Sequence, residues 1–327
     1  MSKLQLTMAV SHYDHMIDIA LKRVEVEGID LNMMELPLHD IFQRTVGFAD
    51  FDIAEMSMAK YVSMRSQGDD RLIALPVFLS RVARHSAIYV RRDRIKTAAD
   101  FAGKRIGVPE WAQTAAVYGR GVLAHELGVD LRSIHWVQAG LGEAGRAEKV
   151  PLRLPAGLEV TPVSDKSLTQ MLDSGELDGL VCATPPNCFH TNKDVVRFYE
   201  NPTEAEMAYA KAKKILPIMH GLVVRKAVLD AHPWVAGNLF HAFDTARRHS
   251  VKRMIFPGST SVPVPWITEA VKKAQEVMGK DFWPYGVEEN RPTLEAFLQF
   301  AFEQGVCHRL MTPEELFPAQ TLRTVRV

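Results

Sequence analysis

Apolar and polar residues alternate along Leu4-Gln-Leu-Thr-Met-Ala-Val10, which reads as a strand. A helical spacing follows through Met16, Ile19, Ala20 and Leu21. Ile29–Leu36 reads as a second strand, residues 37–48 as a short helix, and Phe51–Met56 as a third strand. Ser57 is placed to cap a helix from Met58 to Arg65, and residues 71–78 and 85–90 are further strands. Strand and helix therefore alternate with short connections, the pattern of a parallel doubly wound sheet. Ligands of such sheets gather at the carboxyl ends of the strands. That rule selects His12 to His15, Glu55 to Ser57, and the approach to His85.

A second unit starts near Thr97. A turn at Gly103-Lys104 leads into a strand ending at Pro109, and a helix runs from Trp111 to Leu127. Thr114 and nearby backbone N–H groups stand at its positive end, an anion site. Gly140, Gly142 and Gly145 lie in a loop without the Lys-Ser/Thr of a phosphate-binding loop. Residues 187–214 read as mainly helical, and 214–224 return as an extended crossover. Helices follow over 234–254, 265–278 and from Pro292.

The stretch Phe282-Trp-Pro-Tyr-Gly-Val-Glu-Glu-Asn-Arg-Pro-Thr-Leu-Glu295 is a rigid aromatic turn delivered into that last helix. Asn290 suits its N-cap and Pro292 its first turn. Tyr285 and Arg291 are candidates to line a cleft for an anionic aromatic molecule, against the plainer reading of a well-capped helix with a solvated arginine. Residues 322–327 read as a tail or an interface strand.

Composition narrows the classes. Lys+Arg and Asp+Glu each number 39, so no net charge draws the chain to nucleic acid. Cys182, Cys188 and Cys307 are odd in number and lack CxxC spacing, which favours a reducing compartment. No signal peptide and no membrane-spanning run is visible, so a cytoplasmic protein is expected. The 327 residues suffice for two lobes, and a homo-oligomer stays open.

The segments DFAGKRIGVP (100–109), LTQMLDSGELDGLV (168–181) and VVRKAVLDAHPWV (223–235) resemble type II periplasmic-binding-protein-like folds. The resemblance implies a two-lobed α/β fold with two crossover strands and an interlobe cleft. Lobe 1 would comprise 1–91 and 215–327, and lobe 2 would comprise 92–214. Within that fold, RHSAIYVRRD (84–93), GKRIGVPEWAQTAAVYGRGVL (103–123), GEAGRAEK (142–149), PIMHGLVVRK (217–226), WPYGVEENRPTLEAFLQFAFEQG (283–305) and MTPEELF (311–317) are similar to the 4,5-dihydroxyphthalate decarboxylase family. Residues 11–19 depart from that family's pattern, with His15 at the point of departure. The resemblance implies a lyase that removes CO₂ from a dihydroxylated aromatic dicarboxylate, giving protocatechuate.

Such a ring loses CO₂ readily once the carboxyl-bearing carbon is protonated and a para hydroxyl holds the charge. The site therefore needs a proton donor, a base near the phenol, and cations for the spectator carboxylate. No organic cofactor is demanded, because the phenol is its own electron sink. Histidine suits the donor near neutral pH. His85 and His220 lead, because crossover segments line an interlobe cleft. Glu55 is the candidate phenol base. Arg84, Arg120, Arg146 and Arg291 are candidate carboxylate clamps, Ser57 and Thr114 hydroxyl donors at helix ends, and His12 a further substrate contact. A metal-dependent alternative uses His12, His15 and Asp14 or Glu55. Two other classes share the fold: a solute-binding protein and a ligand sensor for a small aromatic carboxylate.

Overall fold

The computed structural model describes residues 2–256 and 258–322. Residues 323–327, most of the stretch read as a tail or interface strand, lie outside the described residues. The strands in chain order are β1 (Leu4–Val10), β2 (Ile29–Glu35), β3 (Ile53–Ser57), β4 (Leu72–Arg81), β5 (Ile88–Arg91), β6 (Arg105–Val108), β7 (His135–Gln138), β8 (Val160–Pro162), β9 (Gly179–Val181), β10 (Val195–Arg197) and β11 (Ile218–Arg225). They form two sheets, ordered β2-β1-β3-β11-β4 and β10-β5-β9-β6-β7-β8.

In the first sheet β1 runs parallel to β2 and β3. The return strand β11 inserts antiparallel between β3 and β4, so the sheet is mixed. Every residue of β3 is buried, as expected of a central strand covered on both faces. That burial explains why Ile53-Ala-Glu-Met-Ser57 does not alternate cleanly and why its one carboxylate demands partners.

The second sheet corrects three expectations. β5 pairs antiparallel with β9 and β10, so residues 88–91, grouped with the first lobe from the sequence, belong to the second sheet. Alternation shows that a segment is a strand, but partner choice depends on distant residues. His85–Ala87 forms a 3₁₀ turn rather than the start of that strand. Within 187–214 only Pro202–Lys213 is α-helical, and β10 precedes it.

The C-terminal segment joins the two units. Asn290 precedes the helix Arg291–Glu303 but makes no capping bond. Its amide instead donates to the Pro284 and Gly286 carbonyls and accepts from Arg81. The helix packs on Thr114–His125, where Phe300 fills the space beside Gly121. Just beyond it, the Gln304 carbonyl accepts from Trp111 Nε1 at 2.7 Å. The principal hydrophobic core consequently extends through both sheets. No helix among the described residues is long and apolar enough to cross a membrane.

Candidate active site

The centre of the site is built by two neighbouring antiparallel strands. Cross-strand register sets His220 opposite Ser57 and Leu222 opposite Glu55. Period-two alternation puts Glu55, Ser57 and His220 on one face. Glu55 is fully buried. Its Oε1 lies 2.6 Å from His220 Nδ1 and accepts from the Tyr13 hydroxyl at 2.5 Å. Its Oε2 accepts the Ser11 backbone N–H at 2.9 Å. A buried carboxylate needs such donors, and here both oxygens have them. With Nδ1 committed to Glu55, the Nε2 edge of His220 is left for the cleft, as in carboxylate-oriented histidines generally. Phe42 packs edge-on against the imidazole at 4.9 Å. Burial, with Glu55 adding to it, raises the Tyr13 phenol well above its ordinary value, so it stays a donor.

Beside His220 a cleft of about 230 Å³ lies between the two sheets. Two helix starts meet there. Met58–Ser66 begins directly after β3, and Thr114–His125 begins after β6. Ser57 Oγ and Thr114 Oγ1 are 2.9 Å apart, and Thr114 Oγ1 accepts the Ala59 N–H at 3.0 Å. Positive helix ends, backbone N–H groups and hydroxyls thus converge, a ready anion site. Arg84 lines the same cleft and is buried. Its guanidinium contacts Met219 Sδ at 2.9 and 3.1 Å and donates to the Ala183 carbonyl at 3.1 Å. Thioether sulfur is a weak acceptor, so the Ala183 carbonyl is the one strong acceptor among these contacts. Burial pulls Arg84 down to about 10, which leaves it charged at neutral pH.

Across the cleft, Glu110 joins the lobes. It pairs with Lys60 on the Met58 helix and with Arg146, whose Nε is 2.6 Å away. Burial alone would raise the Glu110 carboxyl, but Lys60 and Arg146 outweigh it and hold it below the usual carboxylate range. Lys149 also lines the cleft, and burial lowers its ammonium below the usual lysine value. The rim therefore carries Lys60, Arg84, Arg146 and Lys149 against the single carboxylate of Glu110, a surplus suited to a dianion.

The structure brings together His220, Ser57, Arg84, Thr114 and Arg146 around the cleft, with Glu55 behind His220. It does not bring the others there. Glu55, expected as the phenol base, faces the histidine and is not among the residues lining the cleft. His85 is buried against Glu126, with Nε2 at 2.8 Å, between the rings of Tyr199 and Tyr209. Arg120 is fully buried 3.6 Å over the Trp111 ring, bonded to Gln304 and the Trp111 carbonyl. Arg291 is held on the surface by Glu288, Glu295 and Glu314. Tyr285 is buried in the first lobe, 5.4 Å from the Arg247 guanidinium. His12 is exposed and pairs with Glu35 at 3.4 Å. His15 turns inward beside Tyr285. His12, His15 and Glu55 do not form a ligand set, and no metal-binding group of three such side chains stands among the described residues.

Tyr13 falls within the strand-end stretch His12 to His15 that the sequence selected, but Lys60, Glu110 and Lys149 were not singled out. Two signals were available: Lys60 stands in the first turn of a helix that follows a strand end, and Glu110 sits just beyond the carboxyl end of a strand.

No family model matches the chain. The chain is 37% identical over 330 residues to 4,5-dihydroxyphthalate decarboxylase of Comamonas testosteroni, across the full length of both. It is 39% identical over 215 residues to 4,5-dihydroxyphthalate decarboxylase of Pseudomonas putida, covering 65% of this chain and 83% of that one. Among solved structures it is similar to the periplasmic aliphatic sulphonate binding protein SsuA from Escherichia coli, with TM-score 0.54, 10% identity and coverage of 98% and 99%. It is also similar to a sulfonate-binding SsuA from Methylobacillus flagellatus, with TM-score 0.56, 11% identity and coverage of 98% and 93%. At such identities the likeness shows the two-lobed periplasmic-binding-protein fold alone.

Proposed function

The chain belongs to the 4,5-dihydroxyphthalate decarboxylase family, and from that premise we propose that its carboxy-lyase reaction takes place in the cleft beside His220. The protein removes CO₂ from a dihydroxylated aromatic dicarboxylate. In our reading the spectator carboxylate is held by Arg84 and the paired helix ends at Ser57 and Thr114. His220 Nε2–H delivers a proton to the ring carbon bearing the departing carboxylate. Glu55 keeps Nδ1–H in place and offsets the imidazolium charge between turnovers. The cations Lys60, Arg146 and Lys149 favour the ionised phenol, whose electrons supply the new C–H bond. As the C–CO₂ bond breaks, its electron pair restores the aromatic ring. Leu38, Phe42, Ala183 and Met219 line the same cleft, and an apolar wall favours neutral CO₂ over carboxylate.

The observation that carries this reading is the His220–Glu55 contact at the edge of a cleft with surplus cations. The three cysteines are free and buried, which supports a reducing, cytoplasmic setting. The test is to mix metal-stripped protein with 4,5-dihydroxyphthalate and follow CO₂ and 3,4-dihydroxybenzoate by chromatography. Turnover that disappears in His220→Gln is expected. Undiminished turnover by that variant overturns the assignment of the donor. Thermal stabilisation by the acid without its consumption points to a binding protein instead.

A further inference from the structure

A larger cavity of about 510 Å³ lies in the first lobe, walled by residues 12–15, the end of β4, the helix Trp234–Ile255 and Phe282-Trp283. The proposed reaction makes no use of it. Its volume falls in the range of about 300–1,000 Å³ common to small-molecule sites. Three residues that line it each carry a buried polar atom without a hydrogen-bond partner among the described residues: His15 Nε2, Arg81 Nε and Trp283 Nε1. Buried polar atoms are usually satisfied, so three on the walls of one cavity call for a ligand or water.

The charge of the buried wall is also unbalanced, while the one lining carboxylate, Asp14, is exposed. Arg81 is buried, and its Nη2 donates to the Pro284 carbonyl at 2.5 Å and to Asn290 Oδ1 at 2.6 Å. Both acceptors are neutral. Burial pulls this guanidinium down to about 10, which leaves it cationic at neutral pH. Arg247 on the facing helix is matched, by contrast, with Asp244 at 2.7 Å and Asp281 at 2.6 Å. Burial, then the Arg247 charge, lowers His15 to about 4, so it adds no charge. The rings pack into one aromatic wall: the His15 ring centre lies 5.4 Å from that of Tyr13 and 5.9 Å from that of Trp283, with Tyr285 at 6.3 Å.

We propose that this cavity is a second binding site, for a small monoanionic aromatic acid, with its carboxylate on Arg81 and its ring against the wall of Tyr13, His15 and Trp283. One unmatched cation fits one carboxylate, whereas the interlobe cleft has the surplus for two. Tyr13 lines this cavity and donates to Glu55, which orients His220. Resting on the catalytic role given to His220, an occupant here lowers turnover through Tyr13.

Calorimetric titration of the whole protein with 3,4-dihydroxybenzoate and with benzoate tests the site. Two equivalents are expected for the native chain. Val251→Trp, which fills the cavity, and Arg81→Lys should each leave one, and Arg84→Met should remove the other. Arg81→Lys also loses bonds to Pro284 and Asn290, so Val251→Trp decides the result if that protein fails to fold. A single equivalent in the native chain, or two undiminished in Val251→Trp, overturns the proposal. In kinetics, benzoate should lower kcat at saturating substrate at least about twofold in the native chain. A rise in apparent KM alone overturns the coupling through Tyr13. Turnover lost in Val251→Trp but kept in Arg84→Met would move the reaction itself into this cavity. Absence of turnover altogether sinks the catalytic reading and leaves the binding count standing.

Discussion

His220 Nδ1 and Glu55 Oε1 lie 2.6 Å apart across two antiparallel strands that are joined through a chain of more than a hundred residues. The pair is one cross-strand diagonal on the buried face of a sheet. It turns an otherwise costly buried carboxylate into the group that orients a histidine at the cleft.

Replacing either member should damage the chemistry more than the fold. His220→Gln is expected to lower kcat by about 10²–10⁴-fold, the usual worth of a positioned general acid. Glu55→Gln should lower kcat and move the alkaline limb of its pH profile to lower pH, since the protonated imidazole donor loses its anionic partner. Steady-state kinetics across pH checks both. An unchanged profile in Glu55→Gln would reduce Glu55 to a packing role.

Arg84→Met should act on binding. Losing one charge-assisted contact worth about 1.5–3 kcal/mol corresponds to a rise in KM of roughly 10–100-fold. Arg84→Lys should recover only part of this, because a point charge does not reproduce the planar fork. Comparison of KM and kcat in the two variants separates binding from catalysis.

The Glu110 carboxyl is held low in the folded chain by Lys60 and Arg146, against the burial that would raise it. A depressed folded value gives stability that is present above the unfolded carboxylate pKa of about 4.3 and lost as pH falls through the folded value. Glu110→Gln leaves two cations facing each other and should cost about 3–5 kcal/mol at pH 7. The deficit relative to the native chain should shrink as the pH drops below the ordinary carboxylate range. Urea midpoints at pH 7 and at pH 4 measure it.

His15 has the same sign for a different reason. Burial lowers its folded value to about 4, so the unfolded chain binds the extra proton first. Its contribution is complete above the unfolded pKa of about 6.5 and is lost between there and about pH 4, up to roughly 3 kcal/mol. His15→Gln should flatten that part of the stability–pH curve. An unaltered slope would mean that His15 is solvated.

The contact between the lobes should be sensitive to one methyl group. A Cβ on Gly121 would overlap the Phe300 ring. Gly121→Ala is expected to cost about 1–3 kcal/mol through overpacking, despite the better helix propensity of alanine. Chemical denaturation checks this, and a neutral result would show that the C-terminal helix shifts freely.

How much of this was legible in the sequence follows from the range of the forces involved. Period-two and period-three-to-four patterns are local, so β1, β2, β3 and the helices after Ser57 and before His125 were readable. So was the tendency of strand ends and helix starts to present Ser57, Thr114 and Glu55, because backbone geometry fixes where those positions point. The fates of the arginines were not readable. Arg84, Arg120 and Arg291 carry the same side chain, yet one faces the cleft, one lies under Trp111 and one pairs with surface glutamates. Those outcomes depend on partners as distant as Gln304 for Arg120. The same holds for His85, whose neighbours Tyr199 and Tyr209 arrive from another part of the chain. Local sequence determined which segments form strands and helices and which residue types stand at their ends. Only tertiary packing decided which charges were buried, which were matched, and which were left to meet a ligand, because burial and Coulomb partners are set by contacts between segments.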